Sequence, residues 1–471
     1  MNDLAYEDLD FPVYVNSAPV MKLKAEDSKE RDIILDVTLS DTIKIAELCG
    51  GSVLNIGDTR NGKSQAMMDI NRYHFGGEAS DEGKSNWIVA RNDFTANGQY
   101  ETIDQSQIGE GRGKISDARV LRKENLEAMC TSLDEVNLAL PEVQVEFFGM
   151  AEGRHNSEKL GKDGYHFFQA SCNINRVNGD FAGTSVINRA LLNRFMITLD
   201  HDRYRSTDKD RDLIDERKAS GKLMLAPIRD ISDKILKAHE GIEEKASQRN
   251  PFIDAYTRVL SSGLDYCNKD EDKLKKRIWP TRCGSCDFAE NDLCSLVKHS
   301  NTGTIGALKK FVFGTEYLMK LKYGDDISID PASLVFEAFK LTTYHGNLNE
   351  VEINSVYYGE DQELMEAAVK KLKNRLKSIK GSVDTAISSA LENGSAETRF
   401  LEVHYSTMDS TQGDYLPYTK ENRNSLDEAV KSRKDLSYEV VSPFDSFAEQ
   451  TGIRMDWFKG YLESIIKTNT K

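Results

Sequence analysis

Nowhere in its 471 residues does the chain carry 18 consecutive apolar residues, so no segment reads as a transmembrane helix. Residues 1–11 are acidic and lack an apolar core, which argues against a secretory signal. The seven cysteines are odd in number and widely spread, the pattern of reduced thiols in a cytoplasm rather than of a disulfide framework. Positive charge is short as well: 62 Lys and Arg stand against 77 Asp and Glu, a formal charge of −15. The protein as a whole therefore does not attract nucleic acid, although a local basic surface stays open. No internal repeat, long low-complexity run, or nuclease or DNA-binding module stands out. What remains is a globular composition, 39% hydrophobic and 30% charged, long enough for roughly three domains.

One stretch organises the rest. Residues 52–65, SVLNIGDTRNGKSQ, read as a short apolar strand, a tight loop and a helix start. The loop Gly57-Asp58-Thr59-Arg60-Asn61-Gly62-Lys63-Ser64 fits G-x-x-x-x-G-K-[ST] at every fixed position, and Gln65 follows it. Glycines let backbone N–H groups turn inward around a phosphate, and the next helix aims its positive end at the same anion. Lys63 would reach the β- and γ-phosphates, and the Ser64 hydroxyl would ligate Mg²⁺. A chance glycine-rich turn is the bland alternative. The flanking strand and helix signals weigh against it.

Around that stretch, residues 36–50 are predicted helical, 86–91 a strand, and 12–15 (PVYV) an added strand. From 126 to 204 strands and short helices alternate, the sign of an α/β domain with a parallel sheet. Beyond 207 the apolar spacing turns helical, at 234–245, 252–264, 308–321, 331–344 and 361–379. A last amphipathic helix lies within 444–466. Cys283, Cys286, Cys294 and His299 have the spacing of zinc ligands. The same residues also read as an amphipathic helix, which would spread the ligands over more than about 20 Å. The helical reading is preferred.

The segment 129–135 reads as a strand ending in two carboxylates. Asp134 would hold Mg²⁺ through its water and Glu135 would polarise the attacking water, roles that require the carboxyl end of a strand beside the phosphate loop. Three further pieces follow: DEVNLALPEVQVEFFGMAEG over 134–153, YHFFQASCN over 165–173, and GTSVINRALLNRF over 183–195. In this order they resemble the MoxR-type AAA+ ATPases, over roughly residues 36–345. The pattern departs at Arg60-Asn61, where small residues are usual, at Leu138 for an Arg, at Ile174 for a Pro and at Asn193 for an Asp.

That resemblance implies a three-layer α/β nucleotide-binding domain, a helical lid and a mostly helical C-terminal extension. The expected divisions are 1–35, 36–205, 206–350 and 351–471. It implies that Asn173 orients water between Glu135 and the γ-phosphate, and that Arg194 is an arginine finger for the neighbouring subunit, with Arg189 as rival. Arg282 would contact the γ-phosphate in cis, and a hairpin within 153–167 would face a central pore. The implied activity is Mg²⁺-dependent ATP hydrolysis in a homo-hexameric ring that remodels a client protein, a separate partner with a von Willebrand type A domain favouring that reading. The alternatives are a nucleic-acid motor using Arg112, Lys114, Arg154 and Lys162, and a scaffold that binds ATP and scarcely hydrolyses it. The preference for ATP over GTP comes from the resemblance alone.

Overall fold

The computed structural model describes residues 4–77, 84–103, 120–122, 124–173, 185–219, 225–248, 250–267, 275–276, 293–297, 302–342, 348–377 and 380–391. The expectations for Arg112, Lys114, Arg282, Cys283, Cys286, His299 and the helix within 444–466 lie outside these residues. The chain divides into two compact units, Met1–Gln248 with Thr302–Gly346, and Arg249–Asn301 with Asn347–Lys471.

In the first unit, strands β1 (Pro19–Glu26) and β2 (Asp32–Thr38) form an antiparallel hairpin, and helix α1 (Leu39–Leu48) follows directly. Residues 36–38, expected in the helix, belong to β2, because Val37 pairs with Met21 and Thr38 serves as the cap. The Thr38 hydroxyl accepts from the Asp41 N–H at 3.1 Å, and the Asp41 carboxylate accepts from the Thr38 N–H at 2.9 Å. This reciprocal pair fixes where the helix begins. The stretch 12–15 is not a strand either. The N–H groups of Val13 and Tyr14 both donate to Asp69 Oδ2, at 2.8 and 2.7 Å, so they have no need of a sheet partner.

The central sheet is built from β3 (Ser52–Gly57), β4 (Ser85–Val89), β5 (Cys130–Asp134), β8 (Phe167–Asn173) and β9 (Ile197–Asp200). Strands β6 (Arg154–His155) and β7 (Glu158–Lys159) form a separate hairpin. The order across the sheet is β9-β3-β8-β5-β4, with every neighbour parallel. This is the α/β arrangement of a phosphate-loop fold. Every residue of β3 is buried, as befits a parallel strand covered on both faces. Thr131 and Ser132 of β5 are also buried, and each has a partner. Thr131 Oγ1 lies 3.0 Å from His166 Nε2, and Ser132 Oγ donates to Asn71 Oδ1 at 2.8 Å while accepting from Gln169 Nε2 at 2.7 Å.

Helix α2 (Lys63–Asp69) leaves the end of β3. The helices expected at 234–245, 308–321 and 331–344 are found over Ser232–Ser247, Thr302–Tyr323 and Pro331–Thr342. Within the second unit, those expected at 252–264 and 361–379 are found over Pro251–Asp265 and Asp361–Lys377, the latter burying Leu364, Ala368 and Leu372. Among the described residues, no helix is long and apolar enough to cross a membrane.

Candidate functional site

Because the sheet is parallel, the carboxyl ends of its strands gather along one edge. Asn173 stands across from Gly57, and Asp134 across from Val89. The phosphate loop opens at this edge. Gly62 caps α2 with φ of +82°, and a Cβ there would come within 2.9 Å of the Tyr14 ring, so both backbone and space demand glycine. Lys63 is folded inward and donates to the carbonyls of Gly57 at 2.8 Å and Asp58 at 2.5 Å. Burial holds its ammonium below the usual lysine value, with the carboxylates of Asp202, Asp58 and Asp134 pulling the other way.

Of the two unusual loop residues, Asn61 has a local explanation. Asn61 donates its amide to the Asp202 carboxylate, which also accepts the Asp58 N–H at 2.9 and 3.0 Å. Asp202 therefore staples the start of the loop to the turn after β9. Arg60 sits at φ of +68°, a left-handed conformation that non-glycine residues seldom adopt. Thr59 takes its place beside it, its N–H donating to Asp58 Oδ1 at 2.6 Å.

Next to the loop, Ser64 Oγ donates to Asp134 Oδ1 at 3.0 Å. The same carboxylate oxygen receives the Ser171 hydroxyl at 2.5 Å, and Ser171 Oγ accepts the Glu135 N–H at 2.8 Å. Glu135 itself is left-handed, with φ 56° and ψ 51°, a strained backbone of the kind that concentrates at working sites. Asn173 Nδ2 reaches Glu135 Oε1 at 3.4 Å. Asn137 clamps Asn173 from behind, donating to its carbonyl at 2.9 Å and accepting its N–H at 3.4 Å. Ser64, Asp134, Glu135 and Asn173 are thus brought into one hydrogen-bonded group. The hydroxyl of Ser64 and the carboxylate of Asp134 are hard oxygen donors converging beside the loop, a set that fits Mg²⁺.

Sequence reasoning missed Ser171, Asn137 and Asp202. Ser171 could have been found, since it lies two residues before Asn173 on a strand and so shares its face. Asn137 lies next to the paired carboxylates. Asp202 gave no signal, because its contact crosses 144 positions of sequence.

Arg194 lies elsewhere. Its carbonyl accepts from Ser52 Oγ at 3.0 Å, at the first residue of β3, so it stands at the amino edge of the sheet. The five residue steps from Ser52 to Gly57 separate it from the loop by about 17 Å. Arg194 belongs to the turn after helix α4 (Arg189–Leu192), whose Arg189 is exposed. It faces the end of helix α3 (Phe147–Ala151). The expected hairpin follows α3 as β6 (Arg154–His155) and β7 (Glu158–Lys159). It turns at Asn156 and Ser157, while the residues 161–164 expected to turn it form a second, separate turn bridged from Lys162 to Tyr165.

A cleft of about 470 Å³ opens beside the loop, lined by Tyr14, Arg60, Gln65, His201, Arg205 and Arg211 among others. No protein-family profile matches the chain. No curated protein matches it either. Among solved structures, it is similar to a candidate ATPase from Cytophaga hutchinsonii at 13% sequence identity and a TM-score of 0.45, over 69% of this chain and 86% of that one.

Proposed function

We propose that this chain is an ATP-hydrolysing AAA+ ring ATPase of the MoxR type that remodels a partner protein. The observation that carries the proposal is the hydrogen-bonded group of Ser64, Asp134, Glu135 and Asn173 at the mouth of the phosphate loop. Lys63 would exchange its two carbonyl partners for the β- and γ-phosphates. Ser64, with Asp134 behind it, would hold Mg²⁺, which when bound neutralises charge between those phosphates. Glu135 would polarise a water, and Asn173 would fix the direction in which that water points. The cleft beside the loop, with Tyr14 and His201, is where the nucleoside would lie. A finger of this kind contributes to the transition state and little to ground-state binding, so Arg194 would act on the rate of hydrolysis.

Arg194 supports a ring rather than a monomer, because a side chain held at the amino edge cannot span about 17 Å to its own loop. Only a second copy could bring that guanidinium to a nucleotide. Of the basic residues that a nucleic-acid motor would use, Arg154 is engaged in an ion pair with Glu152.

Nucleotide binding, hydrolysis and subunit mixing test this reading. Lys63→Ala should lose nucleotide binding, and undiminished affinity would end the phosphate-loop assignment. Arg194→Ala should bind ATP and hydrolyse it roughly 10³–10⁵ times more slowly. Mixed with Glu135→Gln, it should regain activity, because one interface then joins an intact Glu135 to an intact Arg194. No recovery from subunits shown to exchange would end the shared-site reading. Capture by the Glu135→Gln protein would identify the client.

A further inference from the structure

The guanidinium of Arg194 is turned toward its own subunit. Nη1 donates to the Ala190 carbonyl at 2.6 Å, and the group lies 4.2 Å over the centroid of the Phe148 ring. Nε stands 2.7 Å from Glu152 Oε1, a Coulombic pairing in which the N–H finds no well-aligned acceptor. Clamping a phosphate calls for two parallel N–H groups presented together. In this arrangement one nitrogen serves the preceding helix and another faces a carboxylate. A negative charge at 2.7 Å also cancels much of the field that Arg194 could exert on a phosphate beyond it.

Glu152 has a second partner. Its other oxygen, Oε2, pairs with Arg154 Nη2, and Arg154 is the first residue of the hairpin strand β6. Between them Gly153, at φ of +65°, makes the bend that takes the chain out of α3 and into the hairpin. One carboxylate is therefore shared between the proposed finger and the hairpin, at the joint where a movement of the hairpin would pull on it. Both side chains of the Arg194–Glu152 pair are about 30% exposed, which leaves the pair weak enough to open.

We propose that Glu152 is a positioning residue that parks Arg194. Displacement of the hairpin, transmitted through Arg154, draws the carboxylate away and frees the fork for the neighbouring copy. Whatever the hairpin touches would then set the hydrolysis rate next door. This inference rests on the reading of Arg194 as the finger.

Steady-state ATPase of the full chain tests it with two substitutions of opposite sign. Glu152→Gln keeps the shape and removes the charge, so kcat should rise about two- to fivefold, the factor a part-exposed ion pair supports, with KM for ATP unchanged. Arg154→Ala removes the competitor for the carboxylate, so Arg194 is held more firmly and kcat should fall by a similar factor. General damage to the fold would not move the two variants in opposite directions. In an Arg194→Ala background neither substitution should change the rate. If Glu152→Gln is unchanged or slower while Arg194→Ala is nearly inactive, the parking inference is overturned and the finger stands. If Arg194→Ala hydrolyses ATP at the wild-type rate, the finger reading and this inference fall together.

Discussion

Ser171 offers the sharpest test of how the site is held. Its hydroxyl is buried, with the residue 1% exposed, and it makes two bonds: it donates to Asp134 Oδ1 at 2.5 Å and accepts the Glu135 N–H at 2.8 Å. Ser171→Ala removes both at once. The Glu135 N–H is left without its acceptor, which costs about 1–3 kcal/mol, and a bond to a carboxylate worth about 1.5–3 kcal/mol is lost. Because both losses fall at one position beside Ser64, which still donates to Asp134, we expect a loss nearer 3 kcal/mol than the sum. For a domain of this size that is a fall of roughly 6–12 °C in melting temperature. The effect on rate should be larger in proportion. Glu135 owes its left-handed backbone position to that bond, and a displacement of about 1 Å in a reacting group can cost 10²-fold. Urea denaturation and steady-state ATPase would read the two effects separately. Ser171→Thr keeps the hydroxyl and suits a strand, so it should restore most of both. In a Glu135→Gln protein, Ser171→Ala should slow hydrolysis little further, since the group it positions is already gone. A stable, fully active Ser171→Ala protein would refute the argument, and so would losses that simply add.

Two other predictions concern the Glu135 backbone and the buried histidines. Glu135→Gly should relieve the left-handed strain, leaving the protein as stable as before or about 1 kcal/mol more so while hydrolysis is lost; a clear drop in the urea midpoint would mean that the backbone there is not strained. Burial holds His166 at about 4 and His201, with Lys63 adding to the effect, at about 3, both below the ordinary 6.5. The folded chain keeps these rings neutral while the unfolded chain protonates them first, so their contribution is complete above pH 6.5 and is lost as pH falls from 6.5 toward 4 for His166 and toward 3 for His201. The slope should be roughly 1.4 kcal/mol per pH unit for each histidine, and His166→Gln should remove one share of it in urea titrations at stepped pH; equal slopes in both proteins would count against the assignment.

The parts of this site that could be read from sequence are those whose chemistry is local. The phosphate loop carries its glycines, Lys63 and Ser64 within eight positions, and the adjacent carboxylates Asp134 and Glu135 close a strand. Strand β5 was harder to recognise, because Thr131 and Ser132 look out of place in a buried strand. Their partners, His166, Asn71 and Gln169, come from other elements, and a single segment cannot show that its polar groups will be satisfied. The same limit hid Asp202, which holds Asn61 and the Asp58 N–H from the turn after the neighbouring strand β9. It also explains the misplaced strand at 12–15, whose Val-Tyr-Val run has the residue types that strands favour. The backbone there is satisfied by the Asp69 carboxylate instead of a neighbouring strand. Residues 36–38 were assigned to a helix on apolar spacing alone, although Thr38 and Asp41 carried a capping signal that places the start at Leu39.

A parallel sheet has two chemically different edges, and here the groups under discussion are divided between them. Lys63, Ser64, Asp134, Glu135 and Asn173 lie at the carboxyl edge, where strand ends and the start of α2 leave polar groups turned toward a ligand. Arg194 and Glu152 lie at the amino edge, beside Ser52. Strand β3 joins the two edges, and all six of its residues are buried between neighbours on either side, so the separation is fixed by packing rather than by loops that could close it. For Arg194 to serve its own nucleotide, β3 and β9 would have to come apart, at the cost of the hydrogen bonds and burial that hold the sheet together. For it to serve another copy's nucleotide, no strand need move. The adjustment is confined to the Arg194 side chain, which gives up its part-exposed ion pair to Glu152, its bond to the Ala190 carbonyl and its place over the Phe148 ring. The difference between breaking a buried sheet and opening a half-exposed contact is why a trans arrangement is the economical one, and why the mixing experiment and the Glu152→Gln rate probe the same geometry from its two ends.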